Sequence, residues 1–402
     1  MLYVREGFEP LTRTRWSETR AREGILELVA DTDGALRGPT LLWRADPWDG
    51  WHATSPMKNL YVGASGVIWA LDALRRRGHA ETRLDLPMLA VRTLERFRER
   101  PDFFKGEARP NPDRSGLMLS ETGILLVAWH LTRRREFERT LFERVRANTA
   151  NEADELFWGT PGTLHAAAAM HEATADERWR RAWLESAEVL WSRRGEDGLW
   201  TRRLYGNETR GLSASHGLVG NARALLRGGK LLAPARRRAL VRDTSAILER
   251  TAIFEGNLAN WPHRARPPLY YPDGLMRLQW CSGGPGIVIS TADYLEEELL
   301  LAAAELVWKA GPHTLDKAAC ICHGTAGNGY ALLKAFGRTG DELWLDRARR
   351  FAMHALEQVR RLRAERGRGR YSLWTGDTGV ALFLADCVDS RTAYPVLDSW
   401  SW

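Results

Sequence analysis

Two short stretches of the chain place metal-ligating side chains at the start of glycine turns. One stretch contains Cys281 and the other contains Cys322 and His323, and each leads into a Gly-x-x-Gly turn followed by an apolar segment. Two thiolates and one imidazole are the protein ligands of a catalytic zinc site, whose fourth position is left for water or substrate. Only 4 cysteines occur in 402 residues. Two of them in equivalent turns therefore indicate a zinc enzyme.

The other cysteines and the N-terminus bear on the compartment. Cys387 follows an apolar run and is predicted to be a packed core thiol, and Cys320 lies two residues before Cys322. Few cysteines, together with a charged N-terminus without the apolar stretch of a secretory signal, indicate the reducing cytoplasm. The longest apolar runs, such as 124–129, are too short to span a bilayer. We expect a cytoplasmic protein with no membrane span.

The net charge of +7 comes from arginine, since only 6 of the 58 basic residues are lysine. Basic clusters of this kind can bind nucleic acid, but no RNP-like, zinc-knuckle or aromatic-interleaved basic motif accompanies them. We expect solvated outer faces of helices and no nucleic-acid partner. The clusters lie at 75–77, 133–135, 236–238 and 360–370.

A Gly-x-x-Gly turn, or a degenerate version of it, recurs seven times along the chain. Successive copies lie 39 to 66 residues apart, which leaves room for two helices and their turns in each interval. The last glycines of the copies are Gly66, Gly123, Gly162, Gly220, Gly286, Gly327 and Gly379.

Two kinds of helix alternate between these turns. The segments after the turns, such as 124–129 and 380–385, are apolar on nearly all sides and predict buried helices. The segments 179–190 and 344–359 carry apolar residues on one face only, as in a half-exposed helix. No strand pattern is long enough to build a sheet.

Seven such hairpins close most economically into a ring of inner helices covered by outer ones. We therefore predict an all-α fold, an α/α toroid or double barrel, with the seven turns on one rim. Residues 1–402 would form one domain, in which 1–60 supply the first outer helix and the segment leading into the ring. Every turn then delivers a helix N-terminus to a shared basin, where distant residues converge. The long loop 257–271 before Cys281 is predicted to be an insertion, whose role as a lid or a partner contact stays open.

Three of the turns resemble those of the lanthionine synthetase C (LanC) family. They are Trp280–Gly286, Cys322–Asn328 and His216–Gly220. The copies at Asn151–Gly162 and Cys322–Asn328 are most similar to the stand-alone LanC-like branch. The resemblance covers roughly 61–387, and it implies an α/α toroid of seven hairpins.

The resemblance also implies roles for individual residues. The zinc ligands of the family fall on Cys281, Cys322 and His323, so the implied cofactor is Zn²⁺. His216 takes the place of the acid–base residue, and a histidine can exchange a proton near neutral pH.

Two further positions are implied at the site. Arg277 stands where the family carries a site arginine, which could hold a developing enolate oxygen or a substrate carboxylate. Glu155 stands where lanthionine cyclases carry an aspartate, and its carboxylate could orient His216. Ser282 departs from the family, which tends to have an aromatic residue or histidine after this cysteine.

The activity implied is addition of a thiolate to dehydroalanine or dehydrobutyrine in a peptide or protein, which forms a thioether. The thiol could belong to glutathione, as the LanC-like branch implies, or to a peptide cysteine, as in a lanthipeptide cyclase. A non-catalytic scaffold or binding protein that keeps zinc for stability remains an alternative. A glycoside hydrolase on the same scaffold would need paired carboxylates but not the cysteines and His323.

Overall fold

The computed structural model describes residues 1–36, 41–49, 56–102, 115–267, 269–398 and 400. Within these ranges the chain forms fourteen α-helices and two short β-hairpins. In chain order the helices are α1 (Glu18–Ala35), α2 (Ala64–Arg76), α3 (Leu86–Glu99), α4 (Glu121–Thr132), α5 (Arg135–Asn148), α6 (Thr160–Thr174), α7 (Glu177–Ser192), α8 (Leu218–Arg227), α9 (Pro234–Thr251), α10 (Gly284–Thr291), α11 (Glu297–Ala310), α12 (Thr325–Thr339), α13 (Glu342–Arg366) and α14 (Asp377–Val388).

The even-numbered helices form a closed inner ring, in which each contacts the next and α14 returns to α2. These helices follow the glycine turns, and they are buried on all sides except towards the C-terminal ends of several of them. Every residue of α10 is buried, as the apolar composition of its sequence predicts. The odd-numbered helices lie outside and bury one face, such as Trp179, Trp183 and Leu190 of α7. The predicted all-α toroid is confirmed.

The two hairpins are short additions to the helical fold, in a chain whose sequence showed no strand pattern long enough to build a sheet. Strands β1 (Arg202–Leu204) and β2 (Asn207–Thr209) pair antiparallel, as do β3 (Ile253–Glu255) and β4 (Leu258–Asn260). Each strand has three residues, which is too short for an alternating pattern to stand out in the sequence. The first hairpin precedes α8 and the second precedes the loop that leads to α10.

Hydrogen bonds join the seven turns into a ring that closes on itself. Six of the links run from a backbone N–H to a carbonyl, and the side chain of Ser215 supplies the seventh. The last bond returns from the seventh turn to the first, so the rim is continuous. The donors and acceptors, 2.7–3.3 Å apart, are Tyr61 N to Met118 O, Met118 N to Phe157 O, Leu156 N to Ser215 O, Ser215 Oγ to Cys281 O, Cys281 N to Cys322 O, Cys322 N to Trp374 O and Trp374 N to Tyr61 O.

The last glycine of each turn lies against a carbonyl oxygen six residues earlier. At Gly286 this oxygen belongs to Trp280, and at Gly327 it belongs to Ile321. A Cβ atom at any of the seven positions would collide with that oxygen. The repeat is therefore a steric requirement of the turn, which explains why glycine recurs while the residues between vary.

The outer surface carries many of the arginines in ion pairs. Arg236 pairs with Glu188, for example, and Arg363 pairs with Asp31 of α1. Pairs of this kind on an exposed surface contribute little to stability. In the part of the chain that the structure describes, no helix has both the length and the apolar character needed to cross a bilayer.

Candidate active site

Cys281, Cys322 and His323 meet at the rim between α10 and α12. One potential ligand atom from each residue lies within 4.8 Å of the other two. The Cys281 N–H donates to the Cys322 carbonyl at 3.3 Å, which fixes one turn against the other. All four cysteines of the chain are free thiols. The structure thus brings together the three side chains that the sequence suggested as metal ligands.

The chemistry of this cluster fits a zinc ion. The Nε2 atom of His323 is buried and has no hydrogen-bond partner within the described ranges. A buried polar atom left without a partner costs about 1–3 kcal/mol, and coordination would satisfy it. Two sulfurs and one imidazole nitrogen form the donor set of an open, catalytic zinc site. The residues present can therefore hold zinc.

Electrostatics in the cluster favour a thiolate at Cys281. A hydrogen bond from the Cys322 thiol lowers the pKa of Cys281 well below its usual value, although burial opposes this shift. Burial in turn raises the pKa of Cys322 well above its usual value. Burial also opposes a charge on His323, but Cys320 and Cys281 raise the pKa of His323 to about 9. The anionic form of cysteine is the one that binds metals.

Each sulfur accepts one further hydrogen bond that the sequence did not reveal. The hydroxyl of Tyr61 donates to the Cys322 Sγ at 2.9 Å, and the Gln279 side-chain amide donates to the Cys281 Sγ at 2.9 Å. Partners behind the ligands set their orientation and donor strength. The sequence offered one indication of these two donors, which was their position. Tyr61 precedes the first glycine turn, and Gln279 lies two residues before Cys281.

Trp48 packs on the imidazole of His323 from the N-terminal part of the chain. The two rings stack with centroids 4.7 Å apart and planes inclined by 26°. The indole N–H of Trp48 donates to the Asp316 carbonyl at 2.8 Å, and the guanidinium of Arg370 lies 3.9 Å from the indole centroid on the ring face. The orientation of His323 is thus held by a residue that sequence reasoning missed.

His216 and Glu155 form an acid–base pair on the same rim, in which only Glu155 is fully buried. The His216 Nδ1 lies 2.6 Å from a carboxylate oxygen of Glu155, which is fully buried. The carboxylate also accepts the backbone N–H groups of Phe157 and Trp158, at 2.8 and 2.6 Å. An ionised carboxylate can only accept, so Nδ1 carries a proton. The other ring nitrogen, Nε2, is left for proton exchange, and the His216 side chain is 31% exposed.

The His216 turn is attached directly to the metal-ligand cluster. The hydroxyl of Ser215 donates to the Cys281 carbonyl at 2.7 Å. The ring of Phe157 packs on the His216 imidazole with centroids 4.8 Å apart. The Phe157 ring also packs on the ring of Tyr61, with centroids 4.9 Å apart. Glu155 therefore lies behind His216, in the relation that the sequence predicted.

Arg277 lies at the border of this basin and is not free. Its guanidinium forms an ion pair with Asp273, four residues earlier, and lies 5.1 Å from the ring centroid of Tyr271. Tyr271 borders the cluster, since burial and then the Cys281 sulfur raise its pKa to about 12. The Ser282 hydroxyl forms a hydrogen bond with Tyr271. Arg277 is thus linked to the site through Tyr271, and its ion pair is with Asp273.

The toroid and the cluster of potential metal ligands on its rim define the class of protein. A family profile described as Lanthionine synthetase C-like protein matches residues 51–399. The chain therefore belongs to the lanthionine synthetase C-like family, as the turns of the sequence indicated.

Two curated proteins are similar to this chain in sequence. Glutathione S-transferase LANCL1 of Danio rerio is 27% identical over 269 residues, which make up 61% of this chain and 62% of that protein. LanC-like protein GCL1 of Arabidopsis thaliana is 32% identical over 123 residues, 28% of each chain. The chain thus spans less than two thirds of the length of either relative.

A solved structure named nisin cyclase shares the architecture. It superposes with a TM-score of 0.61 at 14% sequence identity, and the match covers 92% of this chain and 94% of that one. At this identity the likeness concerns the fold, and it places the present chain among α/α toroids of the LanC type.

Proposed function

We propose that the protein is a zinc-dependent enzyme that adds the thiol of glutathione to dehydroalanine or dehydrobutyrine in peptides or proteins. The observation that carries this proposal is the position of the Cys281–Cys322–His323 cluster beside the His216–Glu155 pair. A cluster that activates sulfur and a pair that delivers a proton are the two requirements of thioether formation. The name of the Danio rerio relative supports glutathione as the donor.

Cys281, Cys322 and His323 would hold the zinc, which would lower the pKa of a bound thiol. The thiol would then lose its proton near neutral pH, where a free thiol is mostly protonated. The sulfur then adds to Cβ of the dehydroamino acid and a proton adds to Cα. No electron is gained or lost overall. The sulfur of the thiol is bonded to Cβ and a hydrogen is bonded to Cα, so the reaction is a net addition of the thiol across the double bond.

His216 would deliver the proton to Cα through Nε2, because Nδ1 is committed to Glu155. Glu155 fixes the ring and stabilises its charged form after it takes up a proton. Arg277 would stabilise the enolate oxygen that develops when sulfur adds. For this it must exchange its contact with Asp273 for one with substrate.

A lanthionine cyclase, in which the thiol is a cysteine of the same peptide, uses the same groups. A zinc-stabilised scaffold would need the ligand cluster but not the His216–Glu155 pair. The hydrogen bond between these two residues therefore favours an enzyme over a scaffold.

The test combines zinc-loaded protein with a dehydroalanine peptide, with and without glutathione. We expect the peptide to gain the mass of one glutathione, and we expect a chelator or Cys322→Ala to abolish the product. Cys387→Ala is the matched control, since this buried thiol lies in α14 away from the cluster. A dehydroalanine peptide that contains cysteine and loses its free thiol without a mass change would identify a cyclase. If neither thiol gives a product, the remaining alternative is the non-catalytic scaffold.

A further inference from the structure

Two arginines beside the candidate active site form no ion pair within the described residues. Arg202 lies in β1 and Arg264 lies in the loop after β4, and both are partly buried. The Nε atom of each is buried without a hydrogen-bond partner in the described part of the chain. A guanidinium keeps its charge and its five N–H donors. Two such groups with donors left over are suited to bind an anionic ligand.

The backbone places both arginines on the approach to His216. Arg202 is paired with Thr209 across the first hairpin, and two residues later Gly211 forms an antiparallel bridge with Arg264. The strand that carries these contacts continues directly into the turn of His216. The two guanidinium groups therefore come from segments that are hydrogen-bonded next to the proton-transfer pair.

Two aromatic rings and a third arginine lie near Arg202 and Arg264. The His263 ring stacks on Tyr271 with centroids 3.9 Å apart, and Arg277 lies 5.1 Å from the centroid of the same ring. Burial, then the charges of Arg202 and Arg264, lower the pKa of His263 to about 4. His263 is thus neutral at pH 7, and the excess charge of the cluster rests on the arginines.

The carboxylate of Glu155 favours the charged form of Arg202, although burial opposes that charge. Its oxygens form their hydrogen bonds with His216 and with the backbone N–H groups of Phe157 and Trp158. The N–H donors of the two guanidinium groups are therefore left for a ligand, and a carboxylate matches their planar array.

We propose that Arg202 and Arg264 bind a carboxylate of the thiol substrate and so select acidic thiols such as glutathione over neutral ones. This inference rests on the proposed function, since it assumes that a thiol enters the basin beside His216. The two arginines would form a binding site for the thiol donor, separate from the groups that activate the sulfur and move the proton.

Neighbouring arginines offer matched controls. Successive side chains of a strand point to opposite faces, so Arg203 lies on the outer face of β1, where it pairs with Glu208 at 2.9 Å. Arg266 shares the loop of Arg264 but is exposed and lies 3.3 Å from Asp197. Substitution of either removes the same charge from the same segment without changing Arg202 or Arg264.

Binding is tested by titration calorimetry of the zinc-loaded protein with S-methylglutathione, which has the carboxylates of glutathione but no free thiol. We expect Arg202→Gln and Arg264→Gln to weaken binding about tenfold or more, and Arg203→Gln and Arg266→Gln to leave it unchanged. Circular dichroism and the thermal midpoint show whether each variant folds. Wild-type affinity in folded Arg202→Gln and Arg264→Gln proteins, or an equal loss in the controls, overturns the proposal.

Kinetics provide the second test. With a neutral dehydroalanine peptide, KM for glutathione should rise about tenfold or more in Arg202→Gln, while kcat/KM for 2-mercaptoethanol stays unchanged. A KM increase that appears only with an acidic acceptor peptide assigns the arginines to the acceptor, and the proposal is wrong. Should no thioether form in any protein, the proposed function fails, and calorimetry still decides whether Arg202 and Arg264 bind the acidic ligand.

Discussion

Glu155 and His216 are 61 residues apart in the chain, yet their side chains meet at 2.6 Å. The carboxylate is buried and receives two backbone N–H groups as well as the imidazole. Its charge is thus stabilised by fixed donors, and the orientation of His216 follows from a carboxylate that cannot turn. The pair couples the third glycine turn to the fourth.

Replacement of Glu155 by Gln should lower kcat for thioether formation about 100-fold, the lower range for loss of acid–base catalysis. An amide can still accept a hydrogen bond from Nδ1, but it carries no charge to stabilise the imidazolium. Steady-state kinetics would show the loss as a lower kcat. Glu155→Asp keeps the charge and should retain more activity than Glu155→Gln. Wild-type activity in folded Glu155→Gln protein would contradict the role.

Removal of the Tyr61 hydroxyl should alter the electronic state of the Cys322 sulfur without loss of the fold. Tyr61→Phe keeps the ring that packs on Phe157 but deletes the donor to Sγ. A thiolate that loses a hydrogen bond is a stronger donor, so the sulfur-to-metal charge-transfer band of the cobalt-substituted protein should move to lower energy. Tyr394→Phe is the control, since its hydroxyl donates to the Ile321 carbonyl. An unshifted band in Tyr61→Phe would disprove this coupling.

The steric role of the turn glycines predicts opposite effects at two positions. Gly327→Ala should lower the free energy of unfolding by about 3 kcal/mol, because its Cβ would meet the Ile321 carbonyl oxygen. Gly34 lies in α1 with no atom near its missing Cβ, so Gly34→Ala should leave stability unchanged or raise it by up to about 1 kcal/mol. Urea denaturation measures both. Similar values for the two variants would show that the contact is relieved at no cost.

His165 should make the fold sensitive to acid. Burial, then the charges of Arg223 and Arg227, lower its pKa to about 3. The unfolded chain takes up a proton near pH 6.5 while the folded protein does not, so stability is lost as pH falls below that value. Between pH 7 and 5 the wild type should lose about 2 kcal/mol more than His165→Leu. Urea titrations at several pH values test this, and parallel curves for the two proteins would refute it.

The ring of seven helical hairpins was predictable because its steric requirement is local. Each close approach in a turn forces a glycine at a fixed place, and each inner helix must be apolar on all sides. Cys281, Cys322, His323 and His216 were predictable for the same reason, since they stand beside these glycines. Glu155 could be placed behind His216 from its position in the preceding turn.

The contacts around the site were not predictable, because they join segments that share no local pattern. Tyr61 reaches Cys322 across 261 residues, and Trp48 stacks on His323 from outside the repeats. The ion pair of Arg277 with Asp273 could have been read from their four-residue spacing. That Arg202 and Arg264 form no ion pair within the described residues could not have been read from the sequence. Pairing depends on which carboxylates the fold brings near.

The closed circle of hydrogen bonds through the seven turns has a bearing on biosynthesis. The bond from Trp374 to the Tyr61 carbonyl and the packing of α1 on α14 unite the two ends of the chain. A nascent chain that lacks its last hairpin is an open arc. It already holds Cys281, Cys322 and His323, but Cys322 lacks the backbone acceptor that Trp374 provides. The hydrogen bond that joins the Cys322 turn to the seventh turn can therefore form only after translation has passed Trp374.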